Sequence, residues 1–373
     1  MLPRMQSLTL RKALSASYPW TTHPLIIGAP MRVFSGPESA TAITLSGGIG
    51  FIGPGLQPSS TASDLQTAKS ILSSSSSSPS SSHSFTAGEE DEDGGTLPVG
   101  VAFQLWNGNL ESATEAVAEY RPAAAWLFAP RNGQTETDEW ARALRGASSG
   151  IKIWLQVGTV QEAVEAARSD TPPEVLVIQG AEAGGHGRAE DGVGFLTLLP
   201  EVADRLAGMG KDNIPLVAAG GIIDGRGVVA ALGVGAAGAA MGTRFLAAKE
   251  ARISKGYQDE VVRAGDGAVN TVRTHLYNHL RGTFGWPEQW SPRTIVNKSW
   301  EEHKSGVSFD ELKKRHDEAL NRDGSAWGPD GRTATYAGAG IGLVKAVKGA
   351  GEIVEEVRGD ALAIIQSLQG LVS

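Results

Sequence analysis

Ile151-Lys152-Ile153-Trp154-Leu155-Gln156-Val157 is followed by Val160–Arg168 and then by Val175-Leu176-Val177-Ile178. The outer runs are short, apolar and rich in β-branched or aromatic residues, and the middle run reads as a helix. The stretch therefore predicts strand, helix, strand, the signature of a parallel sheet. The same alternation recurs on both sides. Strands are expected at Leu25–Met31, Ile49–Gly53, Val99–Phe103, Ala124–Ala129, Ile214–Ala219 and Ala237–Gly242. Helices are expected at Pro37–Leu45, Ala62–Leu72, Leu110–Tyr120, Thr137–Arg145, Thr197–Leu206 and Gly225–Leu232. Eight strands in strict alternation point to an α/β fold, a closed (β/α)8 TIM barrel. The strands are almost wholly apolar, as expected where both faces of a sheet are covered.

Composition agrees with that reading and narrows the function. The chain has 373 residues, 41% of them hydrophobic, which suffices for one large core. Its 48 glycines exceed what a helix bundle needs and suit many tight strand–helix turns. Net charge is −8 with no basic stripe, which argues against nucleic acid as a partner. With no cysteine, disulfides, thiol nucleophiles, iron–sulfur clusters and thiolate zinc sites are excluded. No apolar run is long enough to span a membrane. The expected compartment is the cytoplasm, although Arg4, Arg11 and Lys12, with no acid between Met1 and Trp20, also suit a mitochondrial presequence.

The chain divides into an N-terminal arm (1–23), a barrel (24–246 and 333–373) and an insertion after the eighth strand (247–332). The insertion is expected to be helical and carries Trp286, Trp290, Trp300 and Trp327. Leaving from the top of the last strand, it is either a lid over the active-site face or a packing element. A closing helix runs from Gly340 to about Gln369. Residues 73–98 begin as nearly pure serine and continue through Glu89–Asp93, so they are expected to be a disordered loop on the face away from the chemistry.

Two G-x-G-x-x-G stretches, Gly48–Gly53 and Gly233–Gly238, each follow a helix and open a strand. That is the reverse of a dinucleotide fingerprint, and both read as turns. His275 and His279 stand four apart but lack the glutamate of a zinc-protease helix, so no metal site is assigned to them.

In such a barrel the chemistry belongs to loops that follow strand C-termini. The first strand ends Gly28-Ala29-Pro30-Met31, small residues that admit a flat ligand. The seventh ends Ala218-Ala219-Gly220-Gly221 and the eighth Met241-Gly242-Thr243-Arg244. Paired glycines at these two strands form the usual phosphate seat of the fold, with the Thr243 hydroxyl as a further donor. The fifth strand carries Gln156 and the sixth Gln179, whose amides suit the polar edge of a planar cofactor. After Gln179 comes Gly180-Ala181-Glu182-Ala183-Gly184-Gly185-His186. Its glycines let backbone run against a ring system and aim one imidazole inward, which makes His186 the candidate catalytic base.

With these loops in place the sequence resembles the nitronate monooxygenase family, also called 2-nitropropane dioxygenases. The resemblance is carried by Pro24–Met31, Gln179–His186, Pro215–Ile222, Met241–Phe245, Arg281-Gly282-Thr283 with Trp286-Pro287, and Ala337–Gly342. It implies an FMN-dependent barrel that oxidises alkyl nitronates with O2 to a carbonyl compound and nitrite. It implies FMN at Ala29, Pro30, Met31, Gln156, Gln179, Gly180, Ala183, Gly184 and Gly185, with its phosphate at Gly220, Gly221, Gly242 and Thr243. It also implies that His186 removes the Cα proton when the substrate is a neutral nitroalkane. Two positions depart from many relatives: Gln104 stands where an asparagine is common, and Gln156 where some flavin barrels carry lysine. Two other readings remain open on the residues. One is an NAD(P)H-dependent flavin reductase of quinones or enoyl thioesters, the other a non-catalytic flavin-binding barrel.

Overall fold

The structure, a computed structural model, describes residues 8–76, 95–321 and 326–371. Eight parallel strands close a barrel: β1 (Ile26–Gly28), β2 (Ile49–Ile52), β3 (Leu97–Gln104), β4 (Pro122–Phe128), β5 (Lys152–Val157), β6 (Val175–Gln179), β8 (Leu216–Ala219) and β9 (Gly238–Met241), the last pairing with the first. A further strand, β7 (Gly185–Arg188), lies outside the barrel. The expected (β/α)8 architecture is thus present. The helices between the barrel strands are α2 (Pro37–Leu45), α3 (Ser60–Ser76), α4 (Leu110–Tyr120), α5 (Gly133–Ala147), α6 (Val160–Arg168), α7 (Phe195–Gly208) and α8 (Gly225–Gly233). Their starts follow local chemistry. Thr159 and Glu162 form a reciprocal capping box at α6, and the Asp224 carboxylate accepts from the Arg226 and Gly227 amides at α8.

Alternation along each strand sorts the core into two layers. One set faces the helices, among them Ile26, Val101, Leu127, Leu155, Leu176 and Leu216. The other fills the barrel, and its filling is lopsided. Phe51, Trp126 and Trp154 occupy one half, with Phe51 5.1 Å from each indole, while Ala219 and Ala240 line the other. Gly100 is required here, because a Cβ would lie 2.3 Å from the Phe51 ring.

The N-terminal arm contains α1 (Leu8–Ala16), after which Tyr18 closes the lower end of the barrel. Its hydroxyl accepts from Trp154 Nε1 at 2.7 Å, and burial pushes the phenol pKa far up. At the same end Arg358 donates to the carbonyls of Pro24, Ser46 and Gly47, fixing the last helix, α15 (Ala350–Gln369), beneath β1 and β2. That helix packs between α8 and α2 as the eighth barrel helix.

Three boundaries differ from the sequence reading. The closing helix starts at Ala350, not Gly340, because Ala339–Leu343 forms a 3-10 turn drawn into the pocket rim. Ser73–Ser76 continue α3, with the hydroxyls of Ser73, Ser74 and Ser75 bonding back to carbonyls of the preceding turn. Leu97 and Pro98 already belong to β3. Of the rest of the expected disordered loop, Gly95 and Thr96 lead into β3 and 77–94 lies outside the described residues.

The insertion holds α10 (Lys255–Arg263), α11 (Gly267–Asn270), α12 (Leu276–Leu280), α13 (Lys298–Lys304) and α14 (Phe309–Leu320), following a single turn, α9 (Thr243–Leu246). It also contributes two strands, β10 (Thr271–Arg273) and β11 (Trp290–Ile295). These strands join β7 in an antiparallel sheet of order β10-β11-β7. Among the described residues no helix is long and apolar enough to cross a membrane.

Residues 77–94 link the end of α3 to the start of β3, and both of those ends lie at the barrel face opposite the strand C-termini. Replacing them by a short Gly-Ser linker is expected to leave the melting temperature unchanged. A drop of more than about 4 °C, roughly 1 kcal/mol or more for a domain of this size, would show that they contribute to the core.

Candidate functional site

A cavity of about 290 Å³ opens at the C-terminal ends of the barrel strands, near the lower end of the usual range for small-molecule sites. Ala29, Pro30 and Met31 form one wall after β1, held in place where the Ala29 amide donates to Met241 O and the Met31 amide to Ser35 Oγ. Gln156 and Gln179 form the floor. Trp126 Nε1 donates to Gln156 Oε1 at 3.0 Å, so the indole fixes the amide with its NH2 group free for the cavity. Gln179 is committed differently: its NH2 donates to the carbonyl of His186 at 3.3 Å.

Gly220 and Gly221 adopt φ of 94° and 75°, the left-handed region that favours glycine. Side chains there would also collide with the β6 loop, since a Cβ on Gly220 would lie 2.7 Å from Gly180 O. Across from them stand Gly242 and Thr243. Thr243 Oγ1 accepts from the Gly338 amide, which leaves the hydroxyl proton for another acceptor. Gly338 and Gly340 complete this rim. The motif Ala337–Gly342 stood out in the sequence without a role. Its glycines let the segment lie against Glu182 O and Ile223, where a Cβ would approach to 2.6 and 2.7 Å.

The loop after β6 is held from outside the barrel. Arg273, on β10, donates to the carbonyls of Ala181, Ala183 and Gly185 at 3.1, 3.0 and 3.3 Å, and also to Ser291 O. Arg293, on β11, adds two bonds to Ala181 O. Burial and the neighbouring Arg293 push the Arg273 pKa down to about 10, which still leaves it charged at neutral pH. Ala183, Gly184, Gly185 and His186 line the cavity as a result. Gly180 does not; a Cβ there would strike the Phe195 amide nitrogen and a Glu182 carboxylate oxygen.

His186 is enclosed except toward the cavity. Trp286 stacks on it with ring centroids 3.5 Å apart and planes within 8°. Asn278 Nδ2 lies 2.9 Å from His186 Nε2. The amide is oriented by a chain of donors: Arg281 Nη1 to the Tyr336 hydroxyl at 3.2 Å, then that hydroxyl to Asn278 Oδ1 at 3.0 Å. Asn278 therefore donates to Nε2, which marks Nε2 as the unprotonated ring nitrogen. Burial, then the positive charges of His275, Arg273, Arg32 and Arg281, hold the imidazole pKa well below its ordinary value of 6.5. The imidazole is neutral at pH 7.

Sequence reasoning missed Asn278, Tyr336 and Arg32, which line the same cavity. Arg281 and Trp286 lay in recognised stretches but carried no role. The available signal was the aromatic-rich insertion, whose strand pairing brings these residues back over the barrel. His275 and His279 stack on one another at 5.8 Å, and among the described residues no cluster of metal-ligating side chains forms.

Fold and cavity together define an enzyme of the (β/α)8 class, with its site at the strand C-termini and a neutral, oriented imidazole in it. A family model described as nitronate monooxygenase matches residues 141–359. The chain is 57% identical over 358 residues to the protein named nitronate monooxygenase npaC of Metarhizium robertsii, covering 96% of each. It is 34% identical to a nitronate monooxygenase of Neurospora crassa, over 96% of this chain and 95% of that one. The crystal structure of a nitroalkane oxidase from Streptomyces ansochromogenes shares the fold, with a TM-score of 0.68 at 21% identity over 95% of this chain and 99% of the other. The chain belongs to the nitronate monooxygenase family.

The Arg273 bonds set a stability expectation. Arg273→Met leaves buried carbonyls without donors and is expected to destabilise the protein by about 3 kcal/mol, read as a lower urea midpoint. Wild-type stability in this variant would mean that solvent replaces the guanidinium at its carbonyl partners.

Proposed function

We propose that the chain oxidises alkyl nitronates with O2, giving a carbonyl compound and nitrite, and that FMN is its cofactor. Family membership supports the reaction, and the cavity supports the cofactor. Its small-residue walls, the free Gln156 NH2 group and the glycine rim with Thr243 fit a flat, polar-edged ring bearing a phosphate. Bound FMN would supply the electron transfer between nitronate and O2.

The residues of the chain then have separable tasks. Ala29–Met31 and Gly184–Gly185 offer backbone surfaces to the ring faces. Gly220, Gly221, Gly242 and Thr243 receive the phosphate. Gln156 donates to a polar ring edge. The single observation that carries the reading is the neutral, amide-oriented His186 on the cavity wall. A nitronate arrives already deprotonated and asks His186 only for a polar neighbour. A neutral nitroalkane must lose its Cα proton, and His186 Nε2 is the base in reach of the cavity. The Nε2 lone pair that takes this proton accepts from Asn278 Nδ2 in the empty site, so the Asn278 amide must swing off Nε2 before the transfer.

Purified protein is expected to be yellow and to release nitrite from propionate 3-nitronate in air. Colourless protein that does not take up FMN would sink the reading, and anaerobic bleaching by NADPH without nitronate would redirect it to a flavin reductase. His186→Asn is expected to lose on the order of a hundredfold in kcat/KM on neutral nitroalkanes while retaining more activity on nitronates; equal losses would remove the base role. A base works unprotonated, so activity on a neutral nitroalkane falls as pH drops through the folded-state pKa of His186. Because that value is depressed, the acid limb is expected below pH 6.5, and a limb at or above 6.5 in a kcat/KM profile would contradict it.

A further inference from the structure

Branched aliphatic side chains usually fill the interior of a (β/α)8 barrel. Here Trp126 and Trp154 stand in register on neighbouring strands, β4 and β5, and fill one half of it with indoles. Their rings stack, with centroids 6.0 Å apart and planes within 23°. The line of rings continues toward the lower end. Tyr18 packs edge-on against Trp154 at 5.9 Å and accepts from its Nε1, and Trp20 packs edge-on against Tyr18 at 5.6 Å. All of these separations fall within the range of aromatic pairs in contact. The two ends of the line differ in surroundings. Trp126 lines the cavity at the strand C-termini. Trp20 is partly exposed at the opposite face, where its Nε1 donates to Gly48 O just ahead of β2.

Packing accounts for each contact, but not for an unbroken run of oxidisable rings from the cavity to solvent. Indoles and phenols give up one electron more readily than most side chains, and the chain has no cysteine to compete with them. Electron tunnelling falls off exponentially with distance, so short hops between touching rings outrun one jump across the barrel. The oxidisable groups facing the cavity include Trp126 and the Met31 thioether, which an oxidant converts to sulfoxide. Burial keeps the proton on the Tyr18 phenol, so that ring serves as the contact between two indoles and not as a resting place for charge.

We propose that Trp126, Trp154, Tyr18 and Trp20 form a relay that carries a one-electron vacancy from the cavity to the opposite surface. The proposal rests on the cavity being the place where FMN and O2 meet. Trp126 gives one electron to an oxidant in the cavity, either an oxygen-centred radical formed from O2 or light-excited flavin, and that oxidant is reduced. Trp154 refills Trp126, and Trp20 refills Trp154 across the Tyr18 ring. The Trp20 indole then releases its Nε1 proton to water. A dissolved reductant, a thiol or ascorbate, returns one electron and one proton and is itself oxidised. The relay ends as it began, and Met31 and Trp126 are spared.

The test is a laser flash on the FMN-loaded protein without O2, read by transient absorption. Wild type is expected to show a neutral tryptophan radical that outlives the flash and is quenched by ascorbate in the buffer. Trp154→Phe and Trp20→Phe keep an aromatic ring that is far harder to oxidise. Both are expected to release nitrite as wild type does, yet to lose the long-lived radical. Trp20→Phe alters only a partly exposed ring, so it decides the matter even if Trp154→Phe fails to fold. A radical that ascorbate does not reach, or one that survives in Trp20→Phe, would overturn the relay. Protein that takes up no FMN would instead refute the cofactor reading on which the relay rests. Peptide mass after prolonged aerobic turnover gives a second readout. Wild type is expected to carry oxidation at Trp20, and Trp154→Phe to carry it at Met31 and Trp126. Wild-type oxidation confined to the cavity, or directed to Trp106 by way of Trp286, 4.8 Å from it, would also overturn the relay.

Discussion

The site depends on one guanidinium. Arg273 gathers the carbonyls of Ala181, Ala183, Gly185 and Ser291, and so joins the β6 loop to the sheet of the insertion. A loop of this composition has little apolar surface of its own, and its glycines give it wide conformational freedom. External bonds must therefore define its path. Once Arg273 is in place, Gly185–Arg188 runs straight enough to pair with β11, and His186 comes to stand opposite Pro292. Pro292 turns its carbonyl to the β10 side, where the Thr274 amide donates to it, and the His186 carbonyl takes the Gln179 amide from the barrel. The imidazole is thus anchored on both sides of its own strand. At the far end of β7, Arg188 pairs with Glu162, whose carboxylate also accepts from the Gly158 and Thr159 amides at the start of α6.

The same arrangement fixes the electrostatics. Burial, with Trp286 stacked on the ring, opposes protonation of His186 most, and His275, Arg273, Arg32 and Arg281 add to it. An acidic chain whose cavity is lined by arginines and, among the described residues, by no carboxylate creates a local positive potential against its own net charge. That potential attracts an anionic substrate and keeps the base neutral while the site is empty. The two effects are linked in sign. An anion that enters cancels part of the field, so the proton affinity of His186 rises when a substrate is present. The charges that favour an anion in the cavity thus reinforce what burial already does to keep the imidazole neutral.

How much of this was legible in the sequence follows from the range of the interactions. The strands of the barrel were readable because each is a short apolar run bounded by glycine or a capping residue, as Thr159 bounds α6. Gly220, Gly221 and Thr243 were readable because strand order alone puts them at the top of the barrel. Gly180 was grouped with its neighbours, yet its missing side chain makes room for Phe195 and Glu182 behind the cavity wall. The strand Gly185–Arg188 was not readable: Gly-His-Gly-Arg has little strand propensity, and its partner is a hundred residues away by sequence, on the far side of α7 and α8. Asn278 and Tyr336 were hidden for the same reason. Polar residues in an apparently helical insertion look like solvent-facing ones until the sheet folds them back. Ser73–Ser76 erred in the other direction, since serine hydroxyls that bond to Lys69 and Ile71 carbonyls can extend a helix that composition alone would end.

The start of the insertion is tied to the segment that leads into α15, where Ala248 bridges Lys348, the Lys249 amide donates to Lys348 O and the Lys348 amide to Ala247 O. Such a hinge-like root would suit a lid if the rest of the segment were free, but the sheet opposes movement as one body. Lifting the segment would break the β7–β11 ladder and the Arg273 and Arg293 bonds to the β6 loop, at about 1 kcal/mol or more for each bond left unmade. It would also carry Asn278 and Trp286 away from His186 and so dismantle the base with the wall. The stretch free of that sheet is short. Between Arg281 and Trp286, Gly282 and Gly285 take φ of 72° and 84°, and Phe284 is 60% exposed. The sheet portion of the insertion thus forms one wall of the site, and its geometry is part of what keeps His186 neutral and aimed.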